Sequence, residues 1–511
     1  MRAVTPAQIR QMDMRAIESG IPSVQLMENA ARAVARVATE LKPEGRIAVL
    51  CGRGNNGGDG LGAARYLSAA GHEVRVAVIA EDIHMLSEDS QQMCRKLFEM
   101  EVPVIFVDQQ VRLQEFISRA ISADLVIDAL LGTGLSEAPR GMVKEAIIWI
   151  NSQPADVLSV DIASGVDGET GNIPGEAVLA DTTVCLQHLK TGQLLYPGRA
   201  WQGQVRVADI GIGAQFIPGD AAEVLYAQDV QRILPHRPAN GHKGTFGHVV
   251  LFCGSRGMVG AGELAAKATL RAGAGMATLA CGQSIADICM QKLTEVMVHP
   301  LPDDNIGCLN RNAVPYLETL LSDKSAVAVG PGWGKGLELQ AVLQALLSQV
   351  KVPMVIDADG LNALSKLPDY RRRLPPNVVM TPHPGEMARI NGVPVDEIVK
   401  NPVFYAKDLA RRNGAVILLK GACTVIAAPD GRVAFNATGN VGMGTAGSGD
   451  VLTGIIAALL AQGVAPYDAA CVGAFIHGRS GDIAVTKTGI TGMIASDLIA
   501  HLTDVWLELK R

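Results

Sequence analysis

Short apolar runs rich in β-branched residues alternate with stretches of helical periodicity along most of the chain. Two amphipathic helices are predicted first, at 6–17 and 24–41. The apolar runs that follow lie at 46–51, 73–80, 102–107, 125–130, 156–162, 183–187 and 205–210. Strands that alternate with helices in this way predict a parallel α/β sheet.

The periodicity fades between 211 and 247, where Pro and Gly interrupt the chain, and then the same alternation resumes. The second set of predicted strands lies at 248–253, 276–280, 326–329, 354–357, 378–381 and 416–419, with a helix at 262–272. From Gly447 onward the pattern is helical, and helices are predicted at 451–462, 466–485 and 496–508. We therefore predict two α/β domains, 1–218 and 219–511, that meet within the segment 215–225.

The composition agrees with this division and excludes some classes of binding partner. A chain of 511 residues exceeds what one hydrophobic core usually organises. Hydrophobic residues make up 48% and charged residues 19%, a balance typical of buried parallel strands. The net charge is −6 and no basic tract occurs, which argues against nucleic acid and anionic membranes as partners. The composition permits a homo-oligomer without specifying one.

Cysteine usage and the N-terminal sequence predict a cytoplasmic protein. The nine cysteines are scattered, many of them in apolar runs, and none forms a CxxC pair. The segment Met1 to Ile17 has no apolar signal core, and no stretch reaches eighteen uninterrupted apolar residues. We expect reduced, buried thiols and neither export nor a membrane span.

A glycine loop follows the first predicted strand of the first domain. The segment Gly52-Arg53-Gly54-Asn55-Asn56-Gly57 matches GxGxxG, which binds the pyrophosphate of NAD at a helix start in Rossmann folds. Taken alone, it favours an NAD dehydrogenase. Asp59 argues against that interpretation, because a carboxylate in this loop repels phosphate unless a cation intervenes.

Polar residues also occur at the ends of two later strands, at Asp128 and at Ser164 shortly after Asp161. The carboxyl ends of parallel strands share one edge of a sheet, so Asn56, Asp128 and Ser164 are expected to converge there. Their oxygens suit an alkali or alkaline-earth cation, and no His or Cys cluster suggests zinc. The alternative is that the Asn and Asp residues of the glycine loop only shape a turn.

The glycine loop (54–60) together with Asp161-Ile162-Ala163-Ser164-Gly165 resembles the epimerase domain of NAD(P)HX repair enzymes, which interconverts the R and S forms of hydrated NADH and NADPH. The resemblance implies a Rossmann-like domain that binds NADHX and NADPHX, with K⁺ at Asn56, Asp128 and Ser164. It implies Asp161 as the candidate for proton transfer, although Asp161 could also cap the turn before Gly165. The implied substrate contacts are Asn55, Asn56, Gly57, Gly58, Asp59, Gly132, Thr133, Gly134, Leu135, Ser136, Glu137, Ala138 and Asp161.

A second glycine loop, Gly444 to Asp450, leads directly into an apolar helix. The first N–H groups of a helix lack partners within the helix, so this loop predicts an anion site that can hold a transferring phosphate. Asp450 is then placed to take a proton from a hydroxyl. The alternative is an N-capping aspartate after a flexible loop.

Three further segments end strands of the second domain. Lys420-Gly421-Ala422-Cys423-Thr424 is either a nucleotide contact or a plain turn, and Asp357 and Asp359 offer carboxylates for Mg²⁺ or for a turn. His383 stands between two prolines, in a position unusual for a core histidine. The Walker A motif GxxxxGK[ST] is absent, as is the protein-kinase set of motifs.

Residues 381–386, 420–424 and 440–454 resemble the ADP-dependent NAD(P)HX dehydratase domain of the ribokinase-like superfamily. The resemblance implies that ADP, with Mg²⁺, phosphorylates the ring hydroxyl of the S epimer and that loss of phosphate restores NAD(P)H, giving AMP and phosphate. It implies Asp450 as the base. It places the hydrate at Ala261, Gly332, His383 and Asp450, and the nucleotide at Lys420, Gly421, Ala422, Cys423, Thr424 and Gly449.

Two other functions remain open from the residues alone. The second domain could be a ribokinase-like small-molecule kinase attached to a non-catalytic nucleotide-binding module. That enzyme would release a stable phosphorylated product. The first domain could also bind a nucleotide or a partner without turnover, in which case Asp161→Asn would leave epimerisation unchanged.

Overall fold

The chain forms two compact units, Met1–Ala222 and Glu223–Arg511, in a computed structural model that describes residues 1–120, 122–135 and 137–510. The sequence prediction divides the chain at 218/219. The two units are described separately below.

The first unit contains the strands β1 (Arg2–Val4), β2 (Arg46–Cys51), β3 (Glu73–Val78), β4 (Val104–Phe106), β5 (Leu125–Ala129), β6 (Asp156–Val160), β7 (Thr182–Leu186), β8 (Leu189–Lys190) and β9 (Gln204–Ala208). Its α-helices are α1 (Pro6–Glu18), α2 (Ser23–Leu41), α3 (Asn55–Ala69), α4 (Glu88–Phe98), α5 (Gln110–Ala120) and α6 (Gly141–Ser152). The main sheet runs in the order β4-β3-β2-β5-β6-β7-β9, and each neighbouring pair is parallel. The predicted parallel α/β fold is confirmed.

The strand order reverses next to β2. The chain continues from β2 through β3 to β4 on one side, and from β5 through β6 and β7 on the other. The loops after β2 and β5 therefore diverge from each other, and the crevice between them is where open α/β sheets bind ligands. The glycine loop lies at this point of the fold.

Close backbone contact explains several glycines of this loop. A Cβ atom at Gly52 would lie 1.9 Å from the carbonyl oxygen of Leu130, and one at Gly57 would lie 2.0 Å from that of Gly52. At Gly60 a Cβ would lie 2.5 Å from the Cβ of Ala129 in β5. These glycines let α3 begin directly against the carboxyl ends of β2 and β5.

A short parallel pair fixes the N-terminal segment. Strand β1 pairs with β8, with Val4 opposite Lys190. The next residue, Thr5, caps α1: its hydroxyl accepts from the N–H of Gln8, and the Gln8 side chain accepts from the N–H of Thr5. Helix α1 therefore starts at a fixed place next to β8.

The second unit contains the strands β10 (Ala222–Val224), β11 (His248–Phe252), β12 (Met276–Gly282), β13 (Met297–Leu301), β14 (Ala326–Val329), β15 (Met354–Ile356), β16 (Val378–Met380), β17 (Val416–Leu419), β18 (Thr424–Ala427) and β19 (Val433–Asn436). Its α-helices are α7 (Ala227–Ile233), α8 (Val259–Arg271), α9 (Gln283–Lys292), α10 (Val314–Leu321), α11 (Leu337–Gln349), α12 (Ala358–Leu364), α13 (Pro384–Asn391), α14 (Val395–Lys400), α15 (Pro402–Asn413), α16 (Ser448–Ala461), α17 (Pro466–Gly492) and α18 (Ala495–Leu509). The C-terminal helices predicted from the sequence are confirmed.

The sheet of this unit is parallel from β13 to β17, in the order β13-β12-β11-β14-β15-β16-β17. It continues through β18 and β19, which pair antiparallel with their predecessors, to β10, which pairs parallel with β19. The antiparallel strands β18 and β19 were not predicted from the sequence. The strand order reverses between β11 and β14, so this sheet also has a crevice at its carboxyl edge.

Helix α16 lies at the centre of the second core. Its residues from Val451 to Ala461 are all buried, and it packs closely against α8. A helix that is apolar on every face is typical of a core position. The N-terminus of α16 is thereby fixed relative to the sheet.

Two properties expected from the sequence concern the whole described chain. All nine cysteines are buried, as expected, and in the described part of the chain none of them forms a disulfide. Within residues 1–120, 122–135 and 137–510, no helix is both long enough and apolar enough to cross a membrane.

Replacing Gly454 of α16 by Ala tests this packing. The added Cβ would lie 2.2 Å from the carbonyl oxygen of Ala265 in α8, so the two helices must separate. We expect the second unit to lose about 2–3 kcal/mol of stability, measured by urea denaturation. Gly260→Ala, in α8 with nothing within 4 Å of the new Cβ, is the matched control. Equal stability of the two variants would contradict the packing described here.

Candidate active sites

A cavity of about 830 Å³ opens at the carboxyl edge of the first sheet. Its walls come from α1, the loop after β2, the loop after β5, the end of β6 and strand β8. The predicted substrate contacts that line it are Asn55, Asn56, Asp59, Gly132, Thr133, Gly134, Leu135, Glu137, Ala138 and Asp161. Gly57 and Gly58 lie in the first turn of α3, behind this wall, and Ser136 lies outside the described residues.

An ion pair between Asp161 and Lys190 forms the charged floor of the cavity. Lys190 is completely buried, and its Nζ donates to Oδ1 of Asp161 and, over 3.0 Å, to the carbonyl oxygen of Leu186. The N–H of Leu186 donates to the same Oδ1 over 3.0 Å. The bonds from Lys190 and from the N–H of Leu186 both engage Oδ1, so among the described residues Oδ2 keeps its lone pairs for a ligand.

Asp161 is held in an uncommon backbone conformation. Its φ is 67°, in the left-handed region that non-glycine residues rarely adopt. Two hydrogen bonds fix the peptide: its N–H donates to Val184 over 2.8 Å, and its carbonyl accepts from Nε2 of Gln193 over 2.9 Å. The alternative role as a turn cap before Gly165 does not match these contacts, because the carboxylate is bound to β7 and β8.

Two more carboxyl groups line the same cavity. Burial raises the pKa of Asp59 well above its usual value, and the neighbouring Asp161 and Asp13 raise it further. Burial and Asp161 raise the pKa of Asp13 to about 6, while Lys190 opposes the increase. Three carboxyl groups thus lie near one buried ammonium, and the pKa values of two of them, Asp59 and Asp13, are raised.

Sequence reasoning missed Lys190 and Asp13. Lys190 lies in a two-residue strand, and Asp13 lies in an amphipathic helix far from both glycine loops. The only sequence signal for Lys190 is a charged residue just after an apolar strand. Nothing in the pattern around Asp13 distinguishes it from a solvent-facing helical residue.

The predicted cation ligands come together. Ser164 donates from its Oγ to Oδ1 of Asp128 over 2.6 Å and from its N–H to Oδ2 over 2.9 Å. The backbone of Leu131 connects Ser164 with Asn56. Its N–H donates to Oγ of Ser164 over 2.8 Å, and its carbonyl oxygen accepts from Nδ2 of Asn56 over 3.0 Å. Burial raises the pKa of Asp128, and hydrogen bonds from Ser164 oppose this.

One atom of this group lacks a partner among the described residues. Oδ1 of Asn56 is buried and accepts no hydrogen bond there. A buried amide oxygen without a partner costs stability, so its presence points to a bound species that it contacts. An amide, a carboxylate and a hydroxyl oxygen fit a hard cation such as K⁺. The set fits the predicted ion.

In the second unit, Asp450 lies in the first turn of α16. Gly447 is the N-cap residue, with φ at 90°, and Ser448 and Gly449 precede Asp450 within the helix. Asp450 is therefore not the N-cap, which removes the alternative considered from the sequence. The free N–H groups of this turn and the Asp450 carboxylate lie at one helix end.

The environment of Asp450 raises its pKa toward neutral pH. Burial raises its pKa to about 7, with further contributions from the negative charges of Asp357, Asp359 and Glu386. Lys420 opposes the increase. A carboxylate with this pKa is matched to proton transfer near pH 7.

Lys420 connects the parts of this site. Its Nζ donates to Oδ1 of Asp357 over 2.8 Å and lies 4.0 Å from Oε2 of Glu386. A Cβ added at Gly449 would lie 3.3 Å from the same Nζ, so Lys420 reaches the first turn of α16. The hydroxyl of Thr453 donates to Oδ2 of Asp357 over 2.7 Å. Lys420 and Gly449, predicted as nucleotide contacts, thus lie together.

The other predicted residues surround this centre. His383 is the exposed N-cap of α13, and its Nδ1 accepts from the N–H of Gly385 over 3.0 Å. Ala261 and Gly332 are neighbours, since a Cβ at Gly332 would lie 2.9 Å from that of Ala261. The segment 421–423 is the exposed end of the β17–β18 hairpin, apart from the buried Cys423, and Thr424 begins β18.

His477 supports the first turn of α16 and was not found from the sequence. It contacts the carbonyl oxygen of Ser448 through Nε2 over 2.9 Å, with Ser448 Oγ at 3.3 Å. Burial lowers its pKa to about 4, so the imidazole is neutral and donates to the carbonyl. It lies on α17, in a helical stretch with no motif to mark it.

Comparison with known proteins identifies both units. The family profile described as NAD(P)H-hydrate dehydratase matches residues 249–504, and the profile described as YjeF-related protein N-terminus matches residues 23–192. Among solved structures, the ADP/ATP-dependent NAD(P)H-hydrate dehydratase from Bacillus subtilis, co-crystallised with ATP and Mg²⁺, is 31% identical. It covers 56% of this chain and 99% of its own, with a TM-score of 0.49.

Full-length relatives combine the two parts. The bifunctional NAD(P)H-hydrate repair enzyme of Moorella thermoacetica is 40% identical, across 100% of this chain and 97% of that protein. The enzyme of the same description from Escherichia coli is 37% identical, across 94% of this chain and 89% of that protein. The chain therefore belongs to the family of bifunctional NAD(P)H-hydrate repair enzymes.

Proposed function

We propose that domain 1–218 interconverts the R and S epimers of NADHX and NADPHX, and that domain 219–511 dehydrates the S epimer with ADP, giving AMP and phosphate. The observation that carries the second part is Asp450, whose pKa is raised to about 7 beside Lys420 at the start of α16. The first part is supported by the ion pair of Asp161 with the buried Lys190 in a cavity of about 830 Å³.

Dehydration proceeds in two steps, phosphorylation of the hydroxyl and loss of phosphate. Asp450 takes the proton of the ring hydroxyl, and the oxygen forms a bond to the terminal phosphorus of ADP while the bond to AMP breaks. The carbon–oxygen bond then breaks with its electron pair leaving on phosphate, a ring carbon gives its proton to the departing phosphate, and the electrons of that carbon–hydrogen bond form the carbon–carbon double bond. Phosphate is a far better leaving group than hydroxide, which explains the need for the nucleotide.

The residues around Asp450 divide the remaining tasks. The N–H groups at the start of α16 stabilise the transferring phosphoryl group, and Lys420 neutralises part of its charge. His383, Ala261 and Gly332 hold the hydrate, and residues 421–424 with Gly449 hold the adenine nucleotide. Mg²⁺ is usually bound by one or two carboxylates together with phosphate oxygens. Asp359, near enough to raise the pKa of Asp450, fits that role.

Epimerisation relies on Asp161. Lys190 and the N–H of Leu186 keep its Oδ1 occupied and its charge compensated, so that Oδ2 exchanges a proton with the substrate. Asn56, Asp128 and Ser164 would hold K⁺, which supplies a positive charge at the glycine loop. Held there, K⁺ would offset the repulsion between the substrate phosphates and the negative charge of the cavity.

The overall reaction is tested by incubating the protein with hydrated NADH, ADP and Mg²⁺. We expect equal amounts of NADH, followed by its absorbance, and of released phosphate. A small-molecule kinase would instead accumulate a phosphorylated hydrate without NADH, and that result would refute the proposal.

Asp450→Asn removes the base while keeping the size of the side chain. We expect the turnover rate of dehydration to fall by a factor of about 10² to 10⁴, measured with the S epimer. Asp468→Asn, in the first turn of the next helix α17, is the matched control and should retain activity. Full activity of Asp450→Asn would show that another group takes the proton.

The pH dependence of dehydration reports the same group. Asp450 works as a base only when ionised, and its pKa is raised to about 7, so activity should rise with pH through about 7 and then level off. Lys420→Met removes the charge that lowers the pKa of Asp450, and should move this rise to higher pH. Turnover is to be measured between pH 5 and 9 at saturating ADP; a profile without a rise near 7 would contradict the assignment.

Asp161→Asn should lower the epimerisation rate by a factor of about 10² or more, since the amide cannot accept the proton. Dehydration of the S epimer should be unchanged. Asp156→Asn, at the exposed opposite end of β6, is the matched control and removes only a surface ion pair with Lys42. Unchanged epimerisation by Asp161→Asn would support a domain that binds the hydrate without turnover.

A further inference from the structure

Helix α1 carries a carboxyl group into the epimerase cavity. Ile9, Arg10, Asp13 and Ile17 line the cavity and lie on one stripe of the helix, at a spacing of three to four residues between turns. The buried residues Met12 and Ala16 fix the rotation of the helix against the core. Asp13 is therefore held toward the cavity by the packing of its own helix.

The position of α1 is tied to the residues around Asp161. Strand β1 pairs with β8, which places Val4 opposite Lys190, and the capping box at Thr5 starts the helix directly afterwards. At the first turn, a Cβ added at Gly168 would lie 3.1 Å from Cγ of Pro6. The helix is thus anchored on one side to the strand of Lys190 and on the other to the loop that follows Asp161.

The charges in the cavity oppose the ionisation of Asp13. Burial and the negative charge of Asp161 raise its pKa to about 6, and Lys190 only partly offsets them. The other charged groups that line the cavity are Arg10, Arg53, Asp59, Asp89, Glu137 and Arg140. Asp161, by contrast, is paired with Lys190. Asp161 thus has a bound ammonium, whereas Asp13 forms no ion pair with any of the described residues.

We propose that Asp13 is a second acid–base residue of epimerisation and works together with Asp161. This inference rests on the proposed function of the first domain. Asp13 lies before the matched profile of the N-terminal family, which begins at residue 23. No residue of α1 was among the site residues expected from the sequence.

Inversion of the carbon that carries the hydroxyl requires one bond to it to break. Protonated Asp13 donates its proton to the hydroxyl, and the carbon–oxygen bond breaks with both electrons leaving on water. The electrons of the ring nitrogen stabilise the planar cation that remains. A water molecule then adds to the opposite face and gives its proton to Asp161.

The two carboxyl groups exchange roles in the reverse direction. After one inversion Asp161 is protonated and Asp13 is ionised, so conversion of the product back uses Asp161 as the acid and Asp13 as the base. Each direction consumes and releases one water molecule and one proton within the site. A single shared proton therefore serves both epimers, as an R/S interconversion requires.

The test compares full-length variants on a single epimer of hydrated NADH, without ADP, with the other epimer followed by chiral-phase chromatography. The rate without protein is subtracted. We expect Asp13→Asn to lower kcat by a factor of about 10² or more with a small change in KM. Glu18→Gln, which removes an exposed negative charge from the same helix, is the matched control and should keep the wild-type rate.

The pH profile and a conservative variant separate acid–base action from a structural role. With the epimer whose hydroxyl Asp13 protonates, the wild-type rate should fall as pH rises through about 6, where Asp13 loses its proton. Asp13→Glu should recover part of the activity with this fall at a different pH, and Asp13→Asn should lose the fall altogether. A structural role predicts the opposite order, because the longer side chain of Glu disturbs the packing more than Asn does.

Failure of the inference and failure of the proposed function give different results. If Asp13→Asn epimerises within about threefold of wild type while Asp161→Asn does not, Asp13 has no such role and the proposed function stands. If wild-type protein does not accelerate epimerisation above the rate without protein, the function of the first domain is wrong. Loss of activity in Asp13→Glu equal to or greater than that in Asp13→Asn would also overturn the inference.

Discussion

The cost of burying carboxylates governs both active sites. Each site contains a single buried or half-buried lysine paired with one aspartate, Lys190 with Asp161 and Lys420 with Asp357. The lysine of each pair compensates its own aspartate and only partly offsets the rise in the pKa of the additional acids nearby. Each site nevertheless holds further acids, and burial raises their pKa values: that of Asp59 well above its usual value, that of Asp13 to about 6 and that of Asp450 to about 7.

This arrangement links the two chemistries of the chain. In both units one aspartate is paired with the lysine, and burial raises the pKa of a further aspartate beside it, Asp13 in the first unit and Asp450 in the second. Both units bring these residues together in the same way, because parallel strands end at one edge of the sheet and the strand order reverses there. The acids with raised pKa values thus lie at the carboxyl edge of each sheet, where a substrate binds.

The sequence predicted the alternating strands and helices, the two glycine loops and the convergence of Asn56, Asp128 and Ser164, because each depends on local pattern or on the shared edge of a parallel sheet. It did not predict the antiparallel strands β18 and β19, which are short and flanked by turns. Lys190 and Asp13 also escaped notice. Their importance comes from burial and from pairing between residues far apart in the chain, and neither leaves a local signal.

The pairing of β1 with β8 has a consequence for how the first unit is made. Val4 and Lys190 meet across a separation of almost the whole unit, so the strand that positions α1 has no partner until β8 has been synthesised. Contacts of such long range form late, because the loop that they close must first lose its freedom. A nascent chain can therefore assemble its central strands while its cavity still lacks one wall. The cavity is complete only when β1 has paired with β8.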